Sequence, residues 1–172
     1  LAGSASDGQG GTDTLREVEA VRGSAFSDTL TGGGTHNTGT IYDYEVFEGM
    51  EGNDSISGGA GFDIAVYGAS DAGVIVNLSN LDQTVGAVIV GAGRALDGFG
   101  TRDTLLNIEQ VVGSDYADVI FGSHSLTDRE AFRGGAGNDF IDGGAGNDAA
   151  FYNGSPSAVY VDLGGGFAND GY

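Results

Sequence analysis

Residues 134–151 read GGAGNDFIDGGAGNDAAF, a nine-residue pattern written twice. Residues 49–66 read GMEGNDSISGGAGFDIAV and carry the same pattern twice more. In each nonapeptide, six residues rich in turn formers precede three residues that suit a short strand. The apolar residue at the eighth place (Ile56, Ala65, Ile141, Ala150) would point inward, because side chains alternate along a strand. One unit buries little alone, so the pattern predicts stacked coils that share a thin core.

A longer repeat contains the nonapeptides. Residues 51–68 and 136–153 are identical at 11 of 18 positions at an offset of 85. Upstream, residues 13–32 recur at an offset of 90. These offsets indicate a first unit at 1–90, a second at 91–172 and a third beginning near residue 170. We therefore expect the chain to begin and end inside a repeat, as a segment of a longer array.

Two further stretches are looser copies of the nonapeptide. Residues 23–31 and 113–121 keep the first Gly, the Asp at the sixth place and the apolar residue at the eighth. The second and fourth places hold Ser or an aromatic residue where the regular copies have Gly, except for Met50. These two stretches therefore lack the glycine pattern of the regular copies.

Composition excludes several classes of protein. The 172 residues include 34 Gly, 25 acidic and 6 basic residues, and no Cys, for a net charge of −19. Such a chain lacks the basic surface that binds nucleic acid or an anionic membrane, and it has no disulfide framework. The sequence contains no run of about 20 apolar residues, so no membrane-spanning helix is predicted. Its 40% hydrophobic content argues against permanent disorder.

With four regular nonapeptides of the form G-G-x-G-x-D-x-U-x, where U is apolar, the chain resembles the RTX (haemolysin-type) calcium-binding repeats of bacterial secreted proteins. The resemblance implies an all-β, right-handed parallel β-roll with Ca²⁺ bound in the Gly/Asp-rich turns. It also implies export of the unfolded chain through a type I exporter and folding in external calcium. The expected partners are calcium ions and neighbouring repeats of the same chain, or a second copy of it.

The resemblance also implies the ligands. In the family, the Asp of one turn and the Asp of the next turn on the same side share an ion, and main-chain carbonyls complete its shell. The expected aspartate ligands are Asp54, Asp63, Asp139 and Asp148. The expected carbonyl donors are Gly49, Glu51, Asn53, Gly58, Ala60, Phe62, Gly134, Ala136, Asn138, Gly143, Ala145 and Asn147. Weaker candidates for the second half of a site are Asp28, Asp118, Asp13, Asp103 and Asp71, for which solvated turn charge is an equal alternative.

Four further segments alternate in hydrophobicity and are predicted as strands: 15–21, 72–78, 105–112 and 158–163. The first of these also fits a short helix by spacing. Three segments break the repeat and are expected to be loops or excursions, at 36–45, 83–96 and 123–130.

No catalytic constellation is present. His36 and His124 lie in repeat-breaking segments without metalloprotease spacing, and no phosphate loop or nucleophile elbow occurs. We therefore expect a non-enzymatic module. One interpretation is a calcium-stiffened segment of a surface fibre, S-layer or adhesin. The other is the C-terminal secretion and folding module of an RTX protease, lipase, epimerase or toxin.

Overall fold

A computed structural model describes residues 2–6, 11–33 and 44–170, and every regular element in this part is a β-strand. The strands are β1 (Ala2–Ser6), β2 (Thr12–Arg16), β3 (Ala20–Arg22), β4 (Thr29–Thr31), β5 (Val46–Glu48), β6 (Ser55–Ser57), β7 (Ile64–Val66), β8 (Ile75–Asn77), β9 (Gln83–Val85), β10 (Val88–Val90), β11 (Arg94–Leu96), β12 (Arg102–Leu106), β13 (Gln110–Val112), β14 (Val119–Phe121), β15 (Ala131–Arg133), β16 (Phe140–Asp142), β17 (Ala149–Ala150), β18 (Tyr160–Asp162) and β19 (Phe167–Asn169).

Two stacks of short strands form the body. One sheet has the order β3-β5-β7-β13-β15-β17 and is parallel throughout. The other has the order β4-β6-β12-β11-β8-β14-β16. The chain passes from one sheet to the other at each Gly-rich turn, so successive nonapeptides alternate between the sheets. The predicted all-β parallel β-roll is confirmed.

A thin core lies between the two sheets. In the parallel strands of the two sheets the central residue points into it, as in Ile56, Ala65, Val111 and Ile120, which are at most 2% exposed. Phe47 and Phe132 fill the core beside them. Toward the C-terminal end the core thins: Ile141 is half-buried and Ala150 is exposed. The period of nine therefore places one apolar residue per strand in the core.

Of the two alternatives for segment 83–96, a loop or an excursion, the structure has an excursion that contains three strands. β9 and β10 form an antiparallel hairpin in which Val85 pairs with Val88 across Gly86, whose φ is 59°. β11 then pairs antiparallel with both β8 and β12. Three strands, β12, β11 and β8, therefore lie between β6 and β14 in the second sheet, whereas two, β7 and β13, lie between β5 and β15 in the first. The strands of this excursion were not predicted, because its two-residue periodicity interrupts the period of nine.

The alternating segments form strands, as predicted, but shorter ones. The 15–21 segment is divided between β2 and β3 by a corner at Glu17, which has a φ of 54°. Asn107 makes the same corner in 105–112, with a φ of 52°. The helical alternative for 15–21 is wrong. Segment 123–130 contains no strand, and residues 34–43 of the other expected loop lie outside the described part.

Candidate metal-binding turns

Ten short strands of the two stacks are each preceded immediately by an acidic residue, whereas β8 follows Val74. In the described nonapeptides this residue is the sixth-place Asp, and in the irregular segments it is Glu. The ten acids are Glu19, Asp28, Glu45, Asp54, Asp63, Glu109, Asp118, Glu130, Asp139 and Asp148. The four Glu residues were missed by motif matching, although each stands directly before an apolar-centred triplet that could have revealed it.

The acids form ladders along both edges of the roll. On one edge, the Asp28 N–H donates to Asp54 Oδ1 at 2.8 Å, and the Asp54 N–H donates to Asp103 Oδ1 at 3.0 Å. Farther along, the Asp118 N–H donates to Asp139 Oδ1 at 3.0 Å. Each carboxylate thus reaches the backbone of the preceding coil, which connects turns that lie on the same side.

The opposite edge has the same pattern of backbone N–H groups donating to carboxylates. The Glu45 N–H donates to Asp63 Oδ1 at 3.1 Å, and the Asp63 N–H donates to Glu109 Oε2 at 2.8 Å. The Glu130 N–H donates to Asp148 Oδ1 at 3.2 Å. Longer Glu side chains replace Asp where the turn is irregular, so the ladder continues through segments that lack the nonapeptide.

Two kinds of turn alternate in these stacks. We call the turns 49–54, 58–63, 134–139 and 143–148 the regular turns. In them the second residue has a positive φ (Met50 75°, Gly59 98°, Gly135 111°, Gly144 76°), and so does the fourth (Gly52 123°, Gly61 144°, Gly137 112°, Gly146 133°). Such values suit glycine, which has no Cβ to clash. The glycine pattern therefore shapes the backbone.

The turns that begin at Gly23, Gly32, Gly113 and Gly122 are the looser turns. In each, the backbone N–H at the second place donates to the acid of the same turn: Ser24 to Asp28 Oδ2 at 2.6 Å, Gly33 to Glu45 at 2.9 Å, Ser114 to Asp118 Oδ2 at 2.7 Å and Ser123 to Glu130 Oε2 at 2.8 Å. These carboxylates are satisfied by their own turns.

Regular and looser turns lie directly on one another. A Cβ added to Gly23 would meet the Gly49 carbonyl oxygen at 2.5 Å, and one added to Gly52 would meet the Phe26 carbonyl oxygen at 2.6 Å. The Gly137 position meets Tyr116 and Ala117 in the same way. Carbonyl oxygens and carboxylates are thereby gathered between adjacent turns, where a cation would find oxygen donors from both.

A comparison with protein families finds a match in the residues that form these turns. The family described as the RTX calcium-binding nonapeptide repeat matches residues 19–38, 45–71 and 127–153, with four copies. The chain thus contains RTX calcium-binding repeats. The matched RTX family is a calcium-binding repeat, not a catalytic domain, and its repeats are typical of secreted bacterial proteins. No curated protein matches the chain.

The RTX turns bury acids without basic partners. Asp54, Asp97, Asp103, Asp118 and Glu130 are all at most 3% exposed. Within the described residues, the ion pair present is the surface contact of Arg22 with Glu48 at 2.6 Å, and no basic side chain pairs with Asp54, Asp103 or Asp118. Acidic side chains are rarely buried unless they are paired or coordinate a metal.

The pKa values of several buried acids in the RTX turns reflect the absence of basic partners. Burial raises the pKa of Asp103 to about 7 and that of Asp139 to about 6, against ordinary values near 4, and neighbouring acids add to both shifts. Burial likewise raises the pKa of Asp54, Asp118, Glu109 and Glu130. A nearby cation would reverse these shifts by favouring the charged carboxylates.

The donor set of the RTX turns fits calcium. The Oδ2 atom of Asp54 is buried and has no hydrogen-bond partner. The remaining donors are carboxylate and main-chain carbonyl oxygens, the ligands of a hard cation. Within residues 2–6, 11–33 and 44–170, no three acidic or histidine side chains converge as they would in a site built from side chains alone. A calcium site here would depend on the carbonyls.

The structure places the predicted site residues as follows. Six of the predicted aspartates lie in the ladders: the four expected ligands Asp54, Asp63, Asp139 and Asp148, and two of the weaker candidates, Asp28 and Asp118. Asp103 joins them from β12, where it is fully buried. Asp13 and Asp71 are exposed, with Asp13 paired to Ala5 in the β1–β2 hairpin. The carbonyl donors lie in the regular turns, and their coordination remains a prediction.

The described part of the chain contains no helix long and apolar enough to cross a bilayer.

Proposed function

We propose that this chain is a calcium-dependent structural module of a type I-secreted bacterial extracellular or surface protein, and that it folds when Ca²⁺ binds between its regular and looser turns. The observation that supports this proposal best is the set of buried acids without basic partners. A net charge of −19 adds repulsion along both ladders. Bound calcium would supply positive charge where the carboxylates and carbonyls converge.

The proposed ligands are one aspartate and the odd-place carbonyls of each regular turn. In the turn 49–54 these are Asp54 with the carbonyls of Gly49, Glu51 and Asn53. The looser turn on the same side contributes the second half, through Asp28 in this case. Because the assembled site exists only when coils stack, the binding free energy contributes directly to folding.

An array of such units in a fibre, lattice or adhesin is the favoured setting. Supporting it, the strands of both long units enter the same two sheets, with the first unit's β6 and β7 pairing directly with the second unit's β12 and β13. A roll that continues from unit to unit in this way can extend by repetition. The role proposed is therefore mechanical and not catalytic.

The test is a calcium titration of the chain in chelated buffer, followed by far-UV circular dichroism and sedimentation velocity. We expect a largely unfolded, expanded chain without calcium and a compact β-rich chain in its presence. Magnesium at the same concentrations is the control, since its short bonds and octahedral preference suit this donor set poorly. A circular dichroism spectrum unchanged by the chelator would refute the proposal.

A further inference from the structure

The acid ladder on the edge that carries Asp54 is interrupted at one coil. The carboxylates of Asp54 and Asp103 accept the backbone N–H groups of Asp28 and Asp54 in turn. The next strand of this stack that enters from the opposite sheet is β8, and the residue before it is Val74. The Val74 N–H donates to Asp118 Oδ1 at 2.7 Å, so the ladder resumes beyond it. Val74 therefore holds the place of an acid without supplying a carboxylate.

An inserted strand separates the turns at this coil. β11 lies between β12 and β8 in the second sheet and pairs antiparallel with both. Residues 97–101 connect β11 to β12 within that sheet, so this turn does not bring the chain from the opposite sheet. The Phe99 and Thr101 N–H groups donate to Asp97 Oδ1 at 3.1 and 2.7 Å. The turn is therefore closed by its own acid and, unlike a regular turn, follows no nonapeptide.

Asp103 follows this turn in β12, and protein donors reach both of its carboxylate oxygens. Oδ1 accepts the Asp54 N–H at 3.0 Å, and Oδ2 accepts the Tyr67 hydroxyl at 3.1 Å. We call the contact between Tyr67 and Asp103 the hydroxyl bridge. Asp103 is fully buried and Tyr67 is 5% exposed. The bridge is thus a buried hydrogen bond to a carboxylate, which is the stronger kind.

The tyrosine reaches Asp103 across the inserted strand. Tyr67 follows β7 and begins the turn that leads to β8, in the place that Gly58 holds nine residues earlier. This turn lies directly on the turn 97–101, because a Cβ added to Gly98 would overlap the Ala72 carbonyl oxygen. Burial, with the charge of Asp103 beside it, raises the pKa of Tyr67 well above its ordinary value near 10. The hydroxyl therefore keeps the proton that it donates.

The donors at this coil fit a cation poorly. Asp54 Oδ2 is buried without a hydrogen-bond partner, whereas Asp103 Oδ2 already has one in Tyr67. Where a second acid would stand, the side chain is that of Val74, which is 1% exposed. Calcium takes six to eight oxygen ligands, and carboxylates are the strongest of them. A cation here would find one carboxylate only and would compete with a hydroxyl for it.

We infer that the Tyr67 hydroxyl does for Asp103 what calcium is proposed to do for Asp54, so that this coil of the roll binds no calcium. The calcium sites of this edge then fall into two groups, one beside β4 and β6 and the other beside β14 and β16. The hydroxyl bridge connects the two groups across the inserted β11. The inference rests on the calcium binding proposed above for the regular turns.

The first test counts bound calcium by equilibrium dialysis, at the free calcium concentration that just saturates the wild-type chain. Asp54→Asn should lose about one bound ion per chain, whereas Asp103→Asn and Tyr67→Phe should lose none. Each substitution keeps the shape of the side chain that it replaces. If Asp103→Asn loses an ion as Asp54→Asn does, Asp103 is a calcium ligand and the inference is overturned.

The second test is urea unfolding at the same calcium concentration. Tyr67→Phe should lower the urea midpoint at least about twice as much in the wild-type chain as in the Asp103→Asn background, because a hydrogen bond to a charged group is the stronger one. Tyr116→Phe is the control, since Tyr116 is 49% exposed and should shift the midpoint little in either background.

The two ways to fail are distinguishable. Equal shifts from Tyr67→Phe in both backgrounds would mean that the hydroxyl does not act through Asp103, which overturns the hydroxyl bridge while the calcium sites at the regular turns stand. A wild-type chain that binds no calcium in dialysis would refute the proposed function itself, and with it the division of the sites into two groups.

Discussion

The regular turn 49–54 and the looser turn 23–28 lie on each other and end in the same residue type, yet they treat it differently. In the looser turn, Asp28 Oδ2 accepts the Ser24 N–H at 2.6 Å and the Ser24 hydroxyl at 3.0 Å. In the regular turn, Asp54 Oδ2 is buried without a hydrogen-bond partner. The second residue decides the difference, because the positive φ of Met50 accompanies a turn in which no such bond forms.

The comparison teaches that a looser turn hydrogen-bonds its own carboxylate, whereas the regular turn 49–54 leaves an oxygen of Asp54 available to a cation. Backbone hydrogen bonds stabilise the charge of a carboxylate in a looser turn. A buried carboxylate oxygen that has no hydrogen-bond partner is stabilised in its charged form by a cation instead. Because the two kinds of turn alternate, each proposed site combines a looser turn, whose carboxylate is already hydrogen-bonded within the turn, with a regular turn, whose carboxylate is the principal proposed ligand. The predictions below change one half at a time.

The largest expected effect comes from the backbone of a regular turn. Gly135→Ala should destabilise the calcium-bound fold by about 3 kcal/mol, because alanine is strained at a φ of 111° and its Cβ would overlap the Ser114 carbonyl oxygen. Ser114→Ala, in the looser turn beneath it, should cost only about 1 kcal/mol through lost side-chain hydrogen bonds to Asp118 and Tyr116. Urea unfolding in excess calcium measures both. Equal losses would remove the distinction between the turns.

The next effect concerns the open carboxylate. Asp54→Asn should raise the calcium concentration at the folding midpoint at least about tenfold, because it removes a ligand charge. Asp28→Asn should raise that midpoint only about threefold, since Asp28 is already held by Ser24. Calcium titrations followed by circular dichroism supply the two midpoints. A larger shift for Asp28→Asn would reverse the roles assigned to the two turns.

A smaller effect concerns pH in the absence of calcium. Burial raises the pKa of Asp103 to about 7 and of Asp139 to about 6, so the folded chain binds protons more tightly than the unfolded chain. This contribution to stability is fully present below pH ~4 and is lost as the pH rises to about 7. In chelator, the β signal should therefore be greater at pH 5 than at pH 8.

The matched variant for the pH experiment is Asp103→Asn, which should flatten the difference between pH 5 and pH 8. Sedimentation at both values distinguishes folding from precipitation near the sequence pI of about 4.1. A chelated chain that gains structure on going to pH 8 would contradict the assigned shifts.

The smallest effect is expected at Met50. This residue has a φ of 75° at a place where the other regular turns have glycine. Met50→Gly should stabilise the calcium-bound chain by about 1 kcal/mol by relieving backbone strain. Met50→Ala keeps the Cβ and is the control, with little expected gain. If both variants are equally stable in urea, the strain assigned to Met50 is absent.

Much of this architecture can be predicted from the sequence because both the nonapeptides and the long units repeat. The period of nine predicted the three-residue strands around Ile56 and Ile120, and the glycines at places two and four match positive φ values. The strands β9, β10 and β11 within the 83–96 excursion were not predicted, because they follow a period of two and have no second full copy to align with. Antiparallel insertion of β11 depends on contacts with β8 and β12 that are distant in sequence.

The acid ladder could likewise be predicted only in part from the sequence. Asp54 and Asp139 could be assigned from the motif, whereas Glu45 and Glu130 were missed since their turns contain insertions that hide the period. Glu109 could have been found from its match to Glu19 at an offset of 90. Asp103 gave no sign in sequence of its contact with Tyr67, because that contact is made only when two units stack.

The most direct measurement is a crystal structure of the calcium-bound chain with anomalous scattering recorded near the calcium signal. The account predicts anomalous peaks between stacked regular and looser turns, with one bonded to Asp54 Oδ2 and to carbonyl oxygens of the turn 49–54 at about 2.3–2.6 Å. Ordered turns without such peaks, or peaks confined to exposed surface carboxylates such as Asp82, would contradict it.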